Sequence, residues 1–164
     1  MNPPQPRLAT AADAEAINAI YNYYVRTSTA TFQVEDDTTE ERAEELRARP
    51  ANQPMIVVEV DGGIVGWGAL SPFRSRCAYR DTVELTAYVQ HDNHRRGHGR
   101  ILVQGLIERA RSSGYHTILA ASCEESVGMI RLLKSLGFAE AGCLRQVGSK
   151  FGRRLDVIYL QLVC

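Results

Sequence analysis

Between residues 82 and 112 the sequence changes its period once, and that change limits the fold more than any other feature. In Thr82–Val89 the side chains alternate. Val83, Leu85, Ala87 and Val89 lie on one side, and Thr82, Glu84, Thr86 and Tyr88 on the other, as in a strand with one apolar face. A loop follows, His94-Arg95-Arg96-Gly97-His98-Gly99-Arg100. Beyond it Ile101, Leu102, Leu106 and Ile107 keep helical spacing over 99–112, and Gly114 ends the run. A strand, a glycine loop and an amphipathic helix in that order call for a sheet covered by helices. The glycines let the backbone approach a ligand, the helix start supplies unpaired N–H groups, and the arginines supply charge. Such a loop can cradle a pyrophosphate, although a Gly-punctuated surface turn has the same local sequence. A dinucleotide-binding turn would need a third glycine, and position 102 is Leu.

The remaining pattern extends this unit in both directions. A short strand at 7–9 leads to Thr10, a helix cap with Asp13 three positions on, and a first helix over 11–25 carrying Ile17, Ile20, Tyr21 and Tyr24. Thr38 and Glu41 repeat the capping pattern before a charged helix that ends near Pro50. Met55–Val60 and 64–70 are apolar strands joined by a turn at Asp61-Gly62-Gly63. A strand at 117–121, a helix at 127–136 stopped by Gly137, and strands near 142–147 and 154–162 complete the chain. The order β-α-α-β-β-β-α-β-α-β-β predicts a mixed α/β (α+β) sheet with an antiparallel front half and a β-α-β crossover.

The 164 residues suit one domain with its own core, read as 7–164 after a loose, Pro-rich tail at 1–6. Lys plus Arg and Asp plus Glu both number 19, so there is no basic excess to bind nucleic acid or a membrane surface. No apolar run approaches the ~20 residues of a membrane span. The tail lacks the pattern of a targeting peptide, and Cys77, Cys123, Cys143 and Cys164 form no C-x-x-C pair. A cytoplasmic protein with free thiols is expected. His91, His94 and His98 do not predict a metal site, because Gly97 and Gly99 interrupt the scaffold that ligands would need.

Glu84 stands on the polar face of the 82–89 strand, where a carboxylate could take a proton from an ammonium. A half-exposed strand with an ordinary Glu alternates in the same way. Upstream, Phe73-Arg74-Ser75-Arg76-Cys77-Ala78-Tyr79 would direct Arg74 and Arg76 to one side if extended, forming a clamp for carboxylate or phosphinate oxygens with Tyr79 adding a hydroxyl. A solvated basic loop is the alternative.

Taken together, these pieces resemble the phosphinothricin and methionine-sulfoximine N-acetyltransferase branch of the GNAT superfamily, from Arg7 to about Leu162. The resemblance is carried by Ile20-Tyr21-Asn22, Thr29-Ala30-Thr31-Phe32, the Phe73–Tyr79 loop, Thr82-Val83-Glu84, Gly114-Tyr115-His116, Leu136-Gly137-Phe138 and Val147-Gly148-Ser149-Lys150-Phe151-Gly152-Arg153. It implies a GNAT fold, with two splayed central strands and about four flanking helices. It further implies acetyl-CoA as cosubstrate, with its pyrophosphate on the glycine loop, and direct transfer with Glu84 as general base. Phe32, Arg74, Arg76, Tyr79, Thr86 and Tyr88 would form the amino-acid pocket. Tyr88, Val89, His94, Arg95, Arg96, Gly97, His98, Gly99, Arg100 and Ser126 would hold acetyl-CoA, the Val89 N–H facing the oxyanion. A homodimer is also implied.

The chain departs from the family pattern at four positions. His94 stands where Arg or Gln is common, Ser126 replaces an Asn that helps hold CoA, Leu133 replaces a His near the thioester, and Arg154 replaces a Trp. With Leu133 a candidate acid for the departing thiolate is lost. Slower turnover or a changed optimum is expected rather than inactivity, because a thiol pKa near ~8.5 makes thiolate a tolerable leaving group. A GNAT enzyme for another amine (an ordinary amino acid, a polyamine, a protein N-terminus) and a non-catalytic CoA-binding module remain alternatives. Arg74 and Arg76 disfavour a polycation, and Glu84 disfavours the binding module.

Overall fold

A computed structural model describes residues 4–164. It contains a seven-stranded sheet in the order β1-β2-β3-β4-β5-β7-β6, with β1 Pro6–Leu8, β2 Met55–Val60, β3 Gly63–Pro72, β4 Thr82–Val89, β5 Thr117–Cys123, β6 Ala139–Lys150 and β7 Arg153–Val163. Neighbours are antiparallel except β4 and β5. The helices are α1 Ala14–Thr27, α2 Thr39–Ala48, α3 His98–Ser112 and α4 Val127–Ser135. This is the mixed sheet expected from the order of elements, and the parallel β4–β5 pair is the expected crossover around α3. No helix among the described residues is long and apolar enough to cross a membrane.

The alternation of the strands divides the interior in two. On one face Val83 and Leu85 of β4 pack with Leu102, Val103, Leu106 and Ile107 of α3 and with Leu133 of α4. On the other face Trp67 of β3 and Tyr88 of β4 meet Ile17, Ile20, Tyr21 and Tyr24 of α1. Leu102 and Leu106 are fully buried, and burying each contributes about 1.5–3 kcal/mol.

Several boundaries differ from the expected ones for local reasons. Residues 11–13 form a single 3-10 turn, in which the Asp13 carboxylate accepts from the Thr10 N–H at 2.8 Å, and α1 begins only after it. The helix then runs two residues beyond 25. The Thr38–Glu41 capping box forms as expected, the Glu41 N–H donating to Thr38 Oγ1 at 3.2 Å and the Thr38 N–H to Glu41 Oε2 at 3.0 Å. Pro6, expected in the tail at 1–6, pairs instead with Val58 on the sheet edge, where its missing N–H does no harm. Residues 1–3 of that tail lie outside the described residues. The strand expected at 142–147 extends over Ala139–Lys150, because its register with β7 shifts between Glu140 and Gly142 and again between Leu144 and Gly148. Such bulges scramble a two-residue period.

Candidate functional site

The site is organised by the parting of β4 and β5. They pair only at Thr82–Thr117, Val83–Ile118 and Glu84–Leu119. The last five residues of β4, 85–89, have no β5 partner. The Gln90 N–H donates to Val65 O at 2.8 Å, so Gln90, Tyr88 and Thr86 direct their backbone groups toward β3. Ala87 and Val89 therefore direct theirs into the gap. The Val89 carbonyl accepts from the Tyr24 hydroxyl, and His94 Nε2 lies 2.6 Å from that hydroxyl and 3.3 Å from the carbonyl. Burial pushes the Tyr24 phenol up to about 12, with the nearby Tyr23 adding to it.

The glycine loop closes the far end of the gap. Gly97 is the N-cap of α3 with φ +85°, a conformation glycine adopts freely, and Arg95 also has positive φ. No side chain caps α3, so the N–H groups of its first turn remain available to an anion. Arg95 and Arg96 are exposed and in no ion pair among the described residues. Arg100 instead donates to Ser135 Oγ on α4 at 2.8 Å. His98 is buried, and its Nδ1 has no hydrogen-bond partner among the described residues. Desolvation, helped by Arg96, lowers its pKa and favours the neutral ring. A Cβ on Gly99 would lie 3.2 Å from Leu132 Cδ2 of α4, so a larger residue there would require that side chain to shift. Ser126 precedes α4 without a side-chain cap bond. Among the described residues no group of His, Cys, Asp and Glu has the makings of a metal site.

Glu84, Thr86 and Tyr88 share the other face of β4, all half-buried. Desolvation raises the pKa of Glu84, and the positive charge of Arg74 partly opposes it. The Tyr88 hydroxyl donates to Ala30 O at 3.2 Å, in the 28–33 segment that follows α1 and carries Phe32. Tyr21 joins the same segment, its hydroxyl 2.9 Å from Thr31 Oγ1. The arginine loop is not extended. Pro72 ends β3, and the N–H groups of Tyr79 and Arg80 turn back to the carbonyls of Arg76 and Cys77 at 2.9 and 3.2 Å. Residues 73, 75 and 76 lie in bends, so strand alternation does not set the directions of Arg74 and Arg76. The Arg74 guanidinium rests 5.0 Å from the Phe73 ring centre, and Arg76 and Tyr79 are exposed.

Glu84 and the glycine loop stand at opposite ends of the open stretch. Val89 lies five residue steps beyond Glu84, about 16 Å at ~3.3 Å per step, so a ligand touching both must be long and thin. Leu133 is 1% exposed and belongs to the apolar core rather than the gap. A histidine there would pay a desolvation penalty, so the Leu133→His exchange would test packing before proton donation. Tyr24 and Lys150 meet the site without having been expected there. Helical spacing marked Tyr24 only as core, and Lys150 carried no signal beyond its motif.

Comparison with known proteins agrees with this architecture. The family model "Acetyltransferase (GNAT) domain" matches residues 7–159. Phosphinothricin N-acetyltransferase of Streptomyces viridochromogenes is 35% identical over 97% of this chain and 87% of its own. The L-methionine sulfoximine/L-methionine sulfone acetyltransferase of Salmonella typhimurium is 36% identical over 95% of this chain and 92% of its own. The solved structure of yncA from Salmonella typhimurium with its cofactor acetyl-CoA superposes with a TM-score of 0.94 at 36% identity, covering 99% of this chain and 94% of that one. A sheet forked between β4 and β5, a glycine loop opening α3 and matches over nearly the whole length have one common explanation: the chain belongs to the GNAT acetyltransferases.

Proposed function

We propose that the protein transfers an acetyl group from acetyl-CoA to the amine of a small amino-acid-like substrate of the phosphinothricin or methionine-sulfoximine type. The observation that carries this reading is the half-buried Glu84, on the last rung before the sheet forks and with its pKa raised by desolvation. A carboxylate so placed is a better base than a solvated one, since its proton affinity is nearer that of the group it must deprotonate.

When bound, acetyl-CoA would supply the acetyl group as an activated thioester. The α3 N-terminus at Gly97, His98, Gly99 and Arg100, together with His94, Arg95 and Arg96, suits its phosphates. Ser126, at the start of α4, and Tyr88, beside Val89, complete this set. The Val89 N–H, directed into the gap, suits a developing oxyanion. Glu84, about 16 Å along β4 from Val89, takes a proton from the substrate ammonium through a chain of waters and frees the amine lone pair. Phe32, Thr86 and Tyr88 form the wall of the amine pocket, and Arg74, Arg76 and Tyr79 receive its anionic end. The bent loop leaves both arginines exposed and uncommitted, which suits recruitment by a ligand.

The reading includes a homodimer in the cytoplasm. β6 is an edge strand with Leu144 48% and Val147 57% exposed, which supports pairing with a second copy. The four unpaired thiols are consistent with a reducing compartment. The test is CoA release from acetyl-CoA with methionine sulfoximine, beside methionine at equal concentration. Saturable release with the sulfoximine and little with methionine is expected. Equal release with both would refute the selectivity assigned to the arginines.

A further inference from the structure

The stretch Val147-Gly148-Ser149-Lys150-Phe151-Gly152-Arg153 is among the most specific motifs of the chain, yet the chemistry above uses none of it. It forms the β6–β7 hairpin, turning at Phe151 and Gly152, both with positive φ. Lys150 is 4% exposed, and no acidic residue pairs with it among the described residues. Its ammonium donates to Ser28 O at 2.7 Å, Thr31 O at 2.8 Å and Tyr24 O at 3.4 Å, one carbonyl for each hydrogen. Two of these carbonyls lie at the C-terminal end of α1, where the helix dipole favours a cation. A buried charge satisfied only by main chain requires that main chain to stay in place.

Two further ties join the same hairpin to the same segment. A Cβ on Gly148 would lie 2.1 Å from Cε2 of Phe32, so the ring occupies space that any side chain there would fill. Arg153 donates to both oxygens of Glu125, at 2.5 and 3.1 Å, and Glu125 accepts from Thr29 Oγ1 at 2.8 Å. The hairpin thus holds residues 28–33 from one side, while Tyr88 holds them from the sheet and Tyr21 from α1.

We infer that Lys150, with Gly148, is a positioning residue that sets affinity for the amine substrate by fixing the segment bearing Phe32. The inference rests on the reading of Phe32 as a wall of the amine pocket. Lys150 itself touches neither substrate.

Lys150→Met in the full-length protein tests it. KM for the amine should rise about tenfold, the scale expected for losing hydrogen bonds from a charged donor, while KM for acetyl-CoA stays within about twofold. In a double-mutant cycle with Phe32→Ala the effects on amine KM should fall well short of additive, because both act through one segment. Amide hydrogen exchange should quicken across 29–33 in Lys150→Met and stay unchanged at Leu102 and Leu106 of α3. Should Lys150→Met fail to fold, Gly148→Ala should give the same division between the two KM values and the same local exchange. Unchanged exchange across 29–33 overturns the inference, as does a parallel shift of both KM values or full additivity. Absence of amine-dependent CoA release by the unmodified protein would defeat the reading of the site, and the exchange experiment would still decide whether Lys150 holds the segment.

Discussion

The two sides of the forked sheet are finished to different degrees. The 28–33 segment is tied down almost residue by residue, with Ser28 and Thr31 on Lys150, Thr29 on Glu125, Ala30 on Tyr88 and Phe32 on Gly148. The glycine loop has the opposite character. The first N–H groups of α3 lack a cap, Arg95 and Arg96 are in no ion pair among the described residues, and His98 Nδ1 has no partner there. Unsatisfied donors at a helix start invite an anion, whereas a fully bonded segment keeps its shape whether or not a ligand is present. On the proposed reading, the amine side is organised in advance and the glycine loop keeps its donors free for acetyl-CoA.

Substitutions on each side should move different constants. The larger effect is expected from replacing Arg95 and Arg96 together by Ala. If each makes a charge-assisted contact with a phosphate, KM for acetyl-CoA should rise about tenfold or more, with amine KM nearly unchanged and a weaker dependence on salt. A rise confined to amine KM in steady-state assays would break the contrast, since Lys150→Met is expected to do that. A smaller effect is expected from Arg74→Ala on the pH profile of kcat/KM. Glu84 must be deprotonated to act as a base, so activity should fall as pH falls through its raised pKa. Arg74 opposes that rise. Its removal should shift the acid limb to higher pH, and a shift to lower pH would separate Arg74 from Glu84.

The same contrast explains what could be read from the sequence. The β4–loop–α3 unit is local, and each of its signals (alternation, Gly97 and Gly99, helical spacing) lies within about thirty residues, so its place in the fold was legible. The 28–33 segment is held by partners such as Lys150, 119 positions from Thr31. No periodicity reports a bond of that span. Tyr24 reads as an ordinary core residue from its spacing, yet its hydroxyl reaches Val89, 65 positions away. In the arginine loop, bends at 73, 75 and 76 and the turn at Cys77–Tyr79 replace the extended backbone that alternation presupposes. β6 reads short in the sequence because its bulges interrupt the period. Leu133 departs from the family pattern in sequence, but only packing shows that it lies in the core.

The account stands most directly on Glu84. A Glu84→Gln variant keeps the shape of the strand and removes the base. With acetyl-CoA and methionine sulfoximine its kcat should fall about 100-fold or more, the usual scale for losing a general base, while acetyl-CoA binding by calorimetry stays that of the unmodified protein. Retention of near-normal turnover with the same pH profile would contradict the account and move the proton-accepting role elsewhere.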